Sequence, residues 1–189
     1  SAGFDDDASP EALAQLRPLN AYGWSKHLFD RWIVRAAAEK RACPPQWVGL
    51  MFFNVYGPNE YHKGEMRSLV VKLAPHLAAG GTAELFKSDR PDVADGGQCR
   101  DFIYVEDCVE VILWFLENPQ VSGLFNVGTG KARSFADLAR AVFAALGQEP
   151  RIRYIDMPEA LRGKYQYFTQ AEMQRLRTAG YDRPFTSLE

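Results

Sequence analysis

Tyr22 and Lys26 stand four residues apart in the stretch NAYGWSKHLFDRW, residues 20–32. Leu28, Phe29, Trp32 and Ile33 follow at three- and four-residue spacing, so the stretch is expected to form an amphipathic helix. Residues four apart share one helix face. An ammonium beside a phenol favours the phenolate, and such a phenol can take up and release a proton near neutral pH. The plain alternative is a packed phenol above a solvated lysine, because a single Tyr-x-x-x-Lys spacing arises easily by chance.

Three further stretches carry candidate chemistry. In FFNVYGPNEYHKG (52–64) the apolar run QWVGLMFF (46–53) reads as a strand buried on both faces and stopped by the turn chemistry of NVYGP (54–58). Ligands of open α/β sheets lie beyond the carboxyl ends of parallel strands. That places Asn54, Val55 and Lys63 at such an edge, with Lys63 in a loop before a helix start that could receive a phosphate. In RDFIYVEDCVEVI (100–112) Arg100 borders a loop and could reach an anionic ligand, while Asp107 suits the dipole of a helix start. FNVGTG (125–130) is not a G-x-G-x-x-G fingerprint and reads as a tight turn. His27 and His76 read as surface residues. The aromatic-rich GKYQYFTQ (163–170) reads as packing, with Tyr165 able to face a ligand.

These stretches need elements to position them. Helices are expected over 12–42, broken at RPLN; over 65–81, interrupted near Pro75 and closed by glycines; over 106–118; after a Ser134 cap; and over 169–180, with Thr169 as cap and Gly180 as stop. A final helix is expected to begin at PFTSLE. Strands are expected at 83–86, 100–105, 123–128 and 151–155, and the polar KSDRPDVADGGQC (87–99) reads as a mobile surface loop. Strands alternating with helices of this length argue for an α/β protein with a parallel sheet.

Composition narrows the function classes. The 189 residues are 47% hydrophobic and 24% charged, enough for a core. A net charge of −2 without a basic block gives nucleic acid or a membrane surface no electrostatic purchase. No apolar run approaches the ~18 residues of a membrane span. Three cysteines without C-x-x-C spacing argue against zinc or a disulfide framework and for a reducing cytosol; Cys108, among apolar residues, reads as core.

In their order, YGWSK, FFNVYGP, HKG, RDFIYVEDC, FNVGTG and GKYQYFTQAEM resemble the extended short-chain dehydrogenase/reductases over nearly the whole chain. NVYGPNEYHKGEM and GKYQYFTQAEMQRLRTAGYDRPF resemble, within that superfamily, the ADP-glyceromanno-heptose 6-epimerases. The resemblance implies a partial Rossmann-type doubly wound parallel sheet with a smaller α/β substrate-binding domain. The implied NADP-binding remnant covers 12–58 and 101–128, and the sugar-nucleotide part covers 59–100 and 129–189. It implies NADP as cofactor, an ADP-sugar substrate, a homo-oligomer and a role in lipopolysaccharide core biosynthesis. Tyr22 then corresponds to the catalytic tyrosine, Lys26 to its partner on the nicotinamide ribose, and Lys63 to a second acid/base that also touches cofactor. Val55 corresponds to a cofactor contact. Asn54, Glu65, Lys72, Phe86, Lys87, Ser88, Asp89, Arg100 and Tyr165 correspond to substrate positions.

Three residues depart from the family pattern. Met51 stands where an arginine is usual, Glu65 where a small hydroxyl residue is frequent, and Lys72 where a histidine is expected. A carboxylate at 65 would repel a diphosphate unless it points away, whereas Lys72 keeps a cationic donor. The rival readings are a nucleotide-sugar 4-epimerase or 4,6-dehydratase of the same superfamily, and a non-catalytic sugar-nucleotide-binding module. Both ends of the chain read as truncated, and the family's glycine-rich strand–helix unit has no counterpart in it. The 189 residues alone are therefore expected to turn over nothing and to bind NADPH more weakly than micromolar, which fluorescence titration checks.

Overall fold

The computed structural model describes residues 5–18, 20–41, 43–163 and 165–189. Leu19 of the expected RPLN break and Lys164 of GKYQYFTQ lie outside the described residues. The helices are α1 (Pro10–Gln15), α2 (Ala21–Ala38), α3 (Leu69–Ala78), α4 (Val105–Glu117), α5 (Phe135–Ala145) and α6 (Gln174–Thr178). The strands are β1 (Val48–Phe52), β2 (Asn54–Tyr56), β3 (Ala83–Phe86), β4 (Cys99–Tyr104), β5 (Gly123–Val127), β6 (Ala132–Ser134) and β7 (Ile152–Ile155).

The expected α/β class with parallel pairing is what the chain adopts. β1 runs parallel to β5, with Val48 opposite Gly123 and Phe52 opposite Val127. β2 runs parallel to β4, and β3 to β7. The Phe53 amide donates to the Val127 carbonyl at 3.0 Å, so the β1–β5 ladder passes directly into β2–β4. α4 and α6 close over β4 and β5 around Ile103, Val111, Phe115, Phe125, Val127 and Leu176. α3 and α5 pack on β3 around Leu73, Leu77, Leu85 and Phe143. A third, smaller cluster joins Leu13 of α1 to Leu124, with Ile33, Val34 and Met51 against it. Cys108 is buried, as its setting implied.

Several boundaries differ from expectation, each for a tertiary reason. NVYGP does not stop the apolar run: Asn54–Tyr56 pair with β4, and the chain turns only after Tyr56. β1 is half-buried rather than sealed on both faces, because among the described residues only β5 pairs with it. Pro75 sits inside α3 without breaking it. β6 was not expected; it pairs antiparallel to β4, Cys99 opposite Ser134. Thr169 is not a cap, since its amide donates to the Cys99 carbonyl at 3.2 Å, and α6 starts only after Met173. Residues 185–189 form no helix. The polar 87–99 loop is laced to the fold, Ser88 N to Asp95 Oδ1 at 2.8 Å and Gly96 N to Phe86 O at 3.0 Å.

At the centre of β4, Asp101 is fully buried yet forms no salt bridge among the described residues. Its Oδ1 accepts the amide and hydroxyl of Thr129, both at 2.7 Å, and its Oδ2 accepts the amides of Gly130 at 2.9 Å and Ala171 at 3.0 Å. The FNVGTG turn is thus wrapped around a carboxylate of the chain itself. A Cβ at Gly128 would stand 2.7 Å from Asp101 Oδ2, and Gly130 holds a φ of +73, so both glycines follow from this wrapping. Asp101→Ala is expected to strand four donors and cost at least about 3 kcal/mol, against about 1 kcal/mol for Thr129→Val, as read by urea unfolding.

His27, expected at the surface, is 5% exposed and stacks edge-on against Trp24 at 5.7 Å. Burial, helped by the positive charges of Arg31 and Arg17, pushes its pKa below the ordinary value. The unfolded chain therefore takes the proton first as pH falls. The stability owed to neutral His27 is complete above the unfolded value of ~6.5 and declines below it. Urea midpoints at pH 7.5 and 5.5 are expected to differ less for His27→Phe than for the parent chain.

Candidate active site

The α2 helix is set by its cap. Asn20 Oδ1 accepts the Gly23 amide at 2.8 Å, which starts the helix just before Tyr22. One turn later, Lys26 places its Nζ 5.3 Å from the centroid of the Tyr22 ring. That is cation–π distance, so the two functional groups share one face as their spacing required. Tyr22 is 72% exposed and opens onto a cleft of about 680 Å³. Gly23, Lys26, His27 and Asp30 supply one wall of that cleft, the carboxyl end of β1 (Leu50, Met51, Phe52) another, and Gln166 reaches in as well. Burial raises the pKa of Asp30, and the positive charge of Lys26 opposes that rise. Met51 packs beside the third core cluster, so apolar contact stands where the family pattern has a charge.

Lys63 lies in a 3-10 turn, Tyr61–Met66, rather than in an open loop. It follows the carboxyl end of β2 but is not among the residues lining the Tyr22–Lys26 cleft. Its Nζ is 3.6 Å from Glu60 Oε2. Glu65 and Lys72, the two charged departures, meet each other: Lys72 Nζ donates to the Glu65 carbonyl at 2.6 Å and to its Oε2 at 3.1 Å. Asn54 is exposed in β2 opposite Phe102, whereas the Val55 side chain packs against the core around Ile103.

A second group gathers at β4. Arg100 is buried, with its guanidinium 5.3 Å from the Tyr165 ring and 5.5 Å from the Phe135 ring. Nη1 donates to the Cys99 carbonyl at 2.8 Å, and among the described residues no carboxylate forms an ion pair with it. Burial lowers its pKa, and it raises that of Tyr165. Phe86 meets Tyr165 edge-to-face at 6.1 Å. A cation desolvated among aromatic rings with no internal counter-ion is suited to a phosphate or other anion. The neighbouring candidates are engaged within the chain: Lys87 with Asp156 at 2.9 Å, the Asp89 amide with the Tyr167 hydroxyl at 2.7 Å, and the Ser88 hydroxyl with the Arg90 carbonyl at 3.0 Å.

The structure thus brings together Tyr22 with Lys26, Arg100 with Phe86 and Tyr165, and Glu65 with Lys72. Sequence reasoning overlooked Glu60 and Gln166. For Glu60 the only signal was its place three residues before Lys63; Gln166 gave none. Among the described residues no helix is long and apolar enough to cross a membrane, and no three His, Cys, Asp or Glu residues cluster as metal ligands.

The chain and its fold have relatives among known proteins. Residues 2–128 match the model of the NAD dependent epimerase/dehydratase family. The ADP-L-glycero-D-manno-heptose-6-epimerase of Nitratidesulfovibrio vulgaris (strain DP4) is 56% identical over 189 residues, covering 100% of this chain and 56% of that protein. The protein of the same name from Fusobacterium nucleatum is 47% identical, covering 99% and 57%. The crystal structure of the Helicobacter pylori ADP-L-glycero-D-manno-heptose-6-epimerase superposes with a TM-score of 0.71 at 31% identity, over 92% of this chain and 49% of that one. A Thermus thermophilus UDP-glucose 4-epimerase in complex with NAD gives 0.68 at 26% identity, over 89% and 50%. The chain spans about half the length of the curated relatives it matches. It belongs to the NAD dependent epimerase/dehydratase family.

Proposed function

We propose that the protein containing this chain inverts C6 of the heptose in ADP-glycero-manno-heptose through a 6-keto intermediate. The observation that carries the reading is the Tyr22–Lys26 pair, 5.3 Å ring to ammonium, on a cleft at the carboxyl end of a parallel strand. The names of relatives 47% and 56% identical to this chain support the choice of sugar. The nicotinamide end of a cofactor fits the cleft, which offers an exposed phenol, an ammonium and an apolar wall from β1. We take that cofactor to be NADP, which, when bound, accepts hydride from the sugar carbon and returns it.

In this reading Tyr22 receives the proton of the C6 hydroxyl as that carbon is oxidised. Lys26 orients the ring, its ammonium 5.3 Å from the ring centroid. Inversion returns hydride to the opposite face of the ketone, so the oxygen needs a second proton source. Lys63 serves there, its Nζ standing 3.6 Å from the Glu60 carboxylate. Proton exchange with solvent restores both groups. Arg100, flanked by Phe86 and Tyr165, holds the diphosphate, while Asn54 faces the sugar. Glu65 and Lys72, satisfied by each other, brace the Lys63 turn rather than contact substrate.

The interleaved division, 12–58 with 101–128 for cofactor and 59–100 with 129–189 for sugar nucleotide, is supported in part by the separate cluster around Leu77, whereas Leu176 and Tyr181 pack with Phe125 and join the last stretch of chain to the cofactor side. A homo-oligomer is supported by the apolar face of α2, where Leu28, Phe29 and Trp32 are all more than half exposed.

In the natural full-length polypeptide, Tyr22→Phe is expected to lower kcat by about 10²-fold or more. Lys63→Ala is expected to abolish C6 inversion while leaving bound cofactor reducible. A product assay over several nucleotide sugars checks both; turnover of a UDP-sugar at C4 that survives Lys63→Ala would replace this reading with a 4-epimerase.

A further inference from the structure

Glu60 is 6% exposed, sealed where most carboxylates are wet. Its Oε2 accepts the amide of Ser68, the residue that caps α3, at 2.8 Å. Its backbone carbonyl accepts the Lys63 amide at 3.0 Å, and its Oε2 also lies 3.6 Å from Lys63 Nζ. Burial alone would push the carboxyl pKa up, but the hydrogen bonds from Ser68 and the charge of Lys63 outweigh it and hold Glu60 below the ordinary value. Glu60 is thereby kept as an anion. Its Oε1 is buried and has no hydrogen-bond partner among the described residues.

We infer that Glu60 is the positioning residue for Lys63, fixing the turn that carries the lysine against the start of α3 and holding its ammonium in place with a buried negative charge. This rests on the role proposed for Lys63 and names what sets its position. Arg67, which closes the turn, donates its Nε to the Gly64 carbonyl at 2.7 Å, and Lys72 of α3, bonded to the Glu65 carbonyl, ties the turn to the helix. Lys63 itself reaches only Glu60 among the ion pairs of the described residues. Removing the charge while keeping the shape should therefore loosen the ammonium and leave the turn standing.

The test is Glu60→Gln in the natural full-length polypeptide, beside Ser68→Ala, Lys63→Ala and the Glu60→Gln/Lys63→Ala pair. A glutamine oxygen can still accept the Ser68 amide. Glu60→Gln is expected to lower kcat about tenfold with KM changed less than twofold, the cost of a misplaced proton donor. It should cause no further loss in the Lys63→Ala background. Ser68→Ala should lower Tm and leave kcat near the parent value. After reductive ¹³C-methylation of the lysines, the Lys63 resonance should move in Glu60→Gln and stay in Ser68→Ala, a readout independent of turnover. Equal kcat losses in Glu60→Gln and Ser68→Ala, or an additive loss in the double variant, or an unmoved Lys63 resonance, would overturn the inference. If Lys63→Ala alone leaves C6 inversion intact, the role of Lys63 fails first, and the resonance still decides whether Glu60 holds it.

Discussion

A carboxylate shut away from water must be solvated by the chain, and Asp101 recruits segments far along the sequence to do it. Its four donors come from the turn between β5 and β6 and from Ala171, 70 residues away. Cys99, two residues earlier on the same strand, draws in that segment's partners: its amide donates to Tyr167 O at 2.8 Å, and its carbonyl accepts from Thr169 N at 3.2 Å. Residues 165–171 are thus fastened alongside β4. Successive side chains of a strand alternate between faces, so Arg100 turns away from the Asp101 cage and toward Tyr165. The aromatic setting of Arg100 and the reach of Gln166 into the Tyr22 cleft both depend on that fastening.

What sequence made legible follows from how far each interaction reaches. The Tyr22–Lys26 face and the Ser134 cap are local: each is decided by residues within four positions, and the structure completes the expected Ser134 cap as a box with Asp137. β3 and β7 declared themselves by alternation, buried or half-buried apolar residues interleaved with an exposed Glu84 or Arg153, and β5 by a short apolar run buried at every position. Thr169 misled because an amide that could have begun a helix was claimed instead by Cys99, a partner 70 positions earlier. Asp101 and Glu60 look like surface acids in the sequence. Only the fold supplies the backbone donors that make burying them tolerable.

His27 shows the same limit from the other side. It follows Lys26 directly, and a histidine amid charged residues has no local reason to be buried. Helix geometry rotates it some 100° from Lys26, onto the side that faces the α1–α2 connection and β1. The neighbouring Arg17 and Arg31 charges then make its neutral form the compatible one. Lys26 stays exposed on the same cleft, so two adjacent residues divide one helix between solvent and interior.

The departures from the family pattern are best understood in pairs rather than singly. Glu65 alone would set a negative charge beside a diphosphate, and Lys72 alone would be a mobile donor. Together they neutralise each other across 3.1 Å and join the Lys63 turn to α3. The Glu65 side chain is 93% exposed, so this pair adds at most about 1 kcal/mol to stability. Its effect is on where charge lies: both ends of the pair are spoken for, and Lys87 is likewise answered by Asp156. Arg100 is left as a buried cation with aromatic walls and no ion pair within the described residues. An anion that approached this face would meet Arg100 without an ion pair among the described residues, beside Lys72 and Lys87 whose charges are already answered.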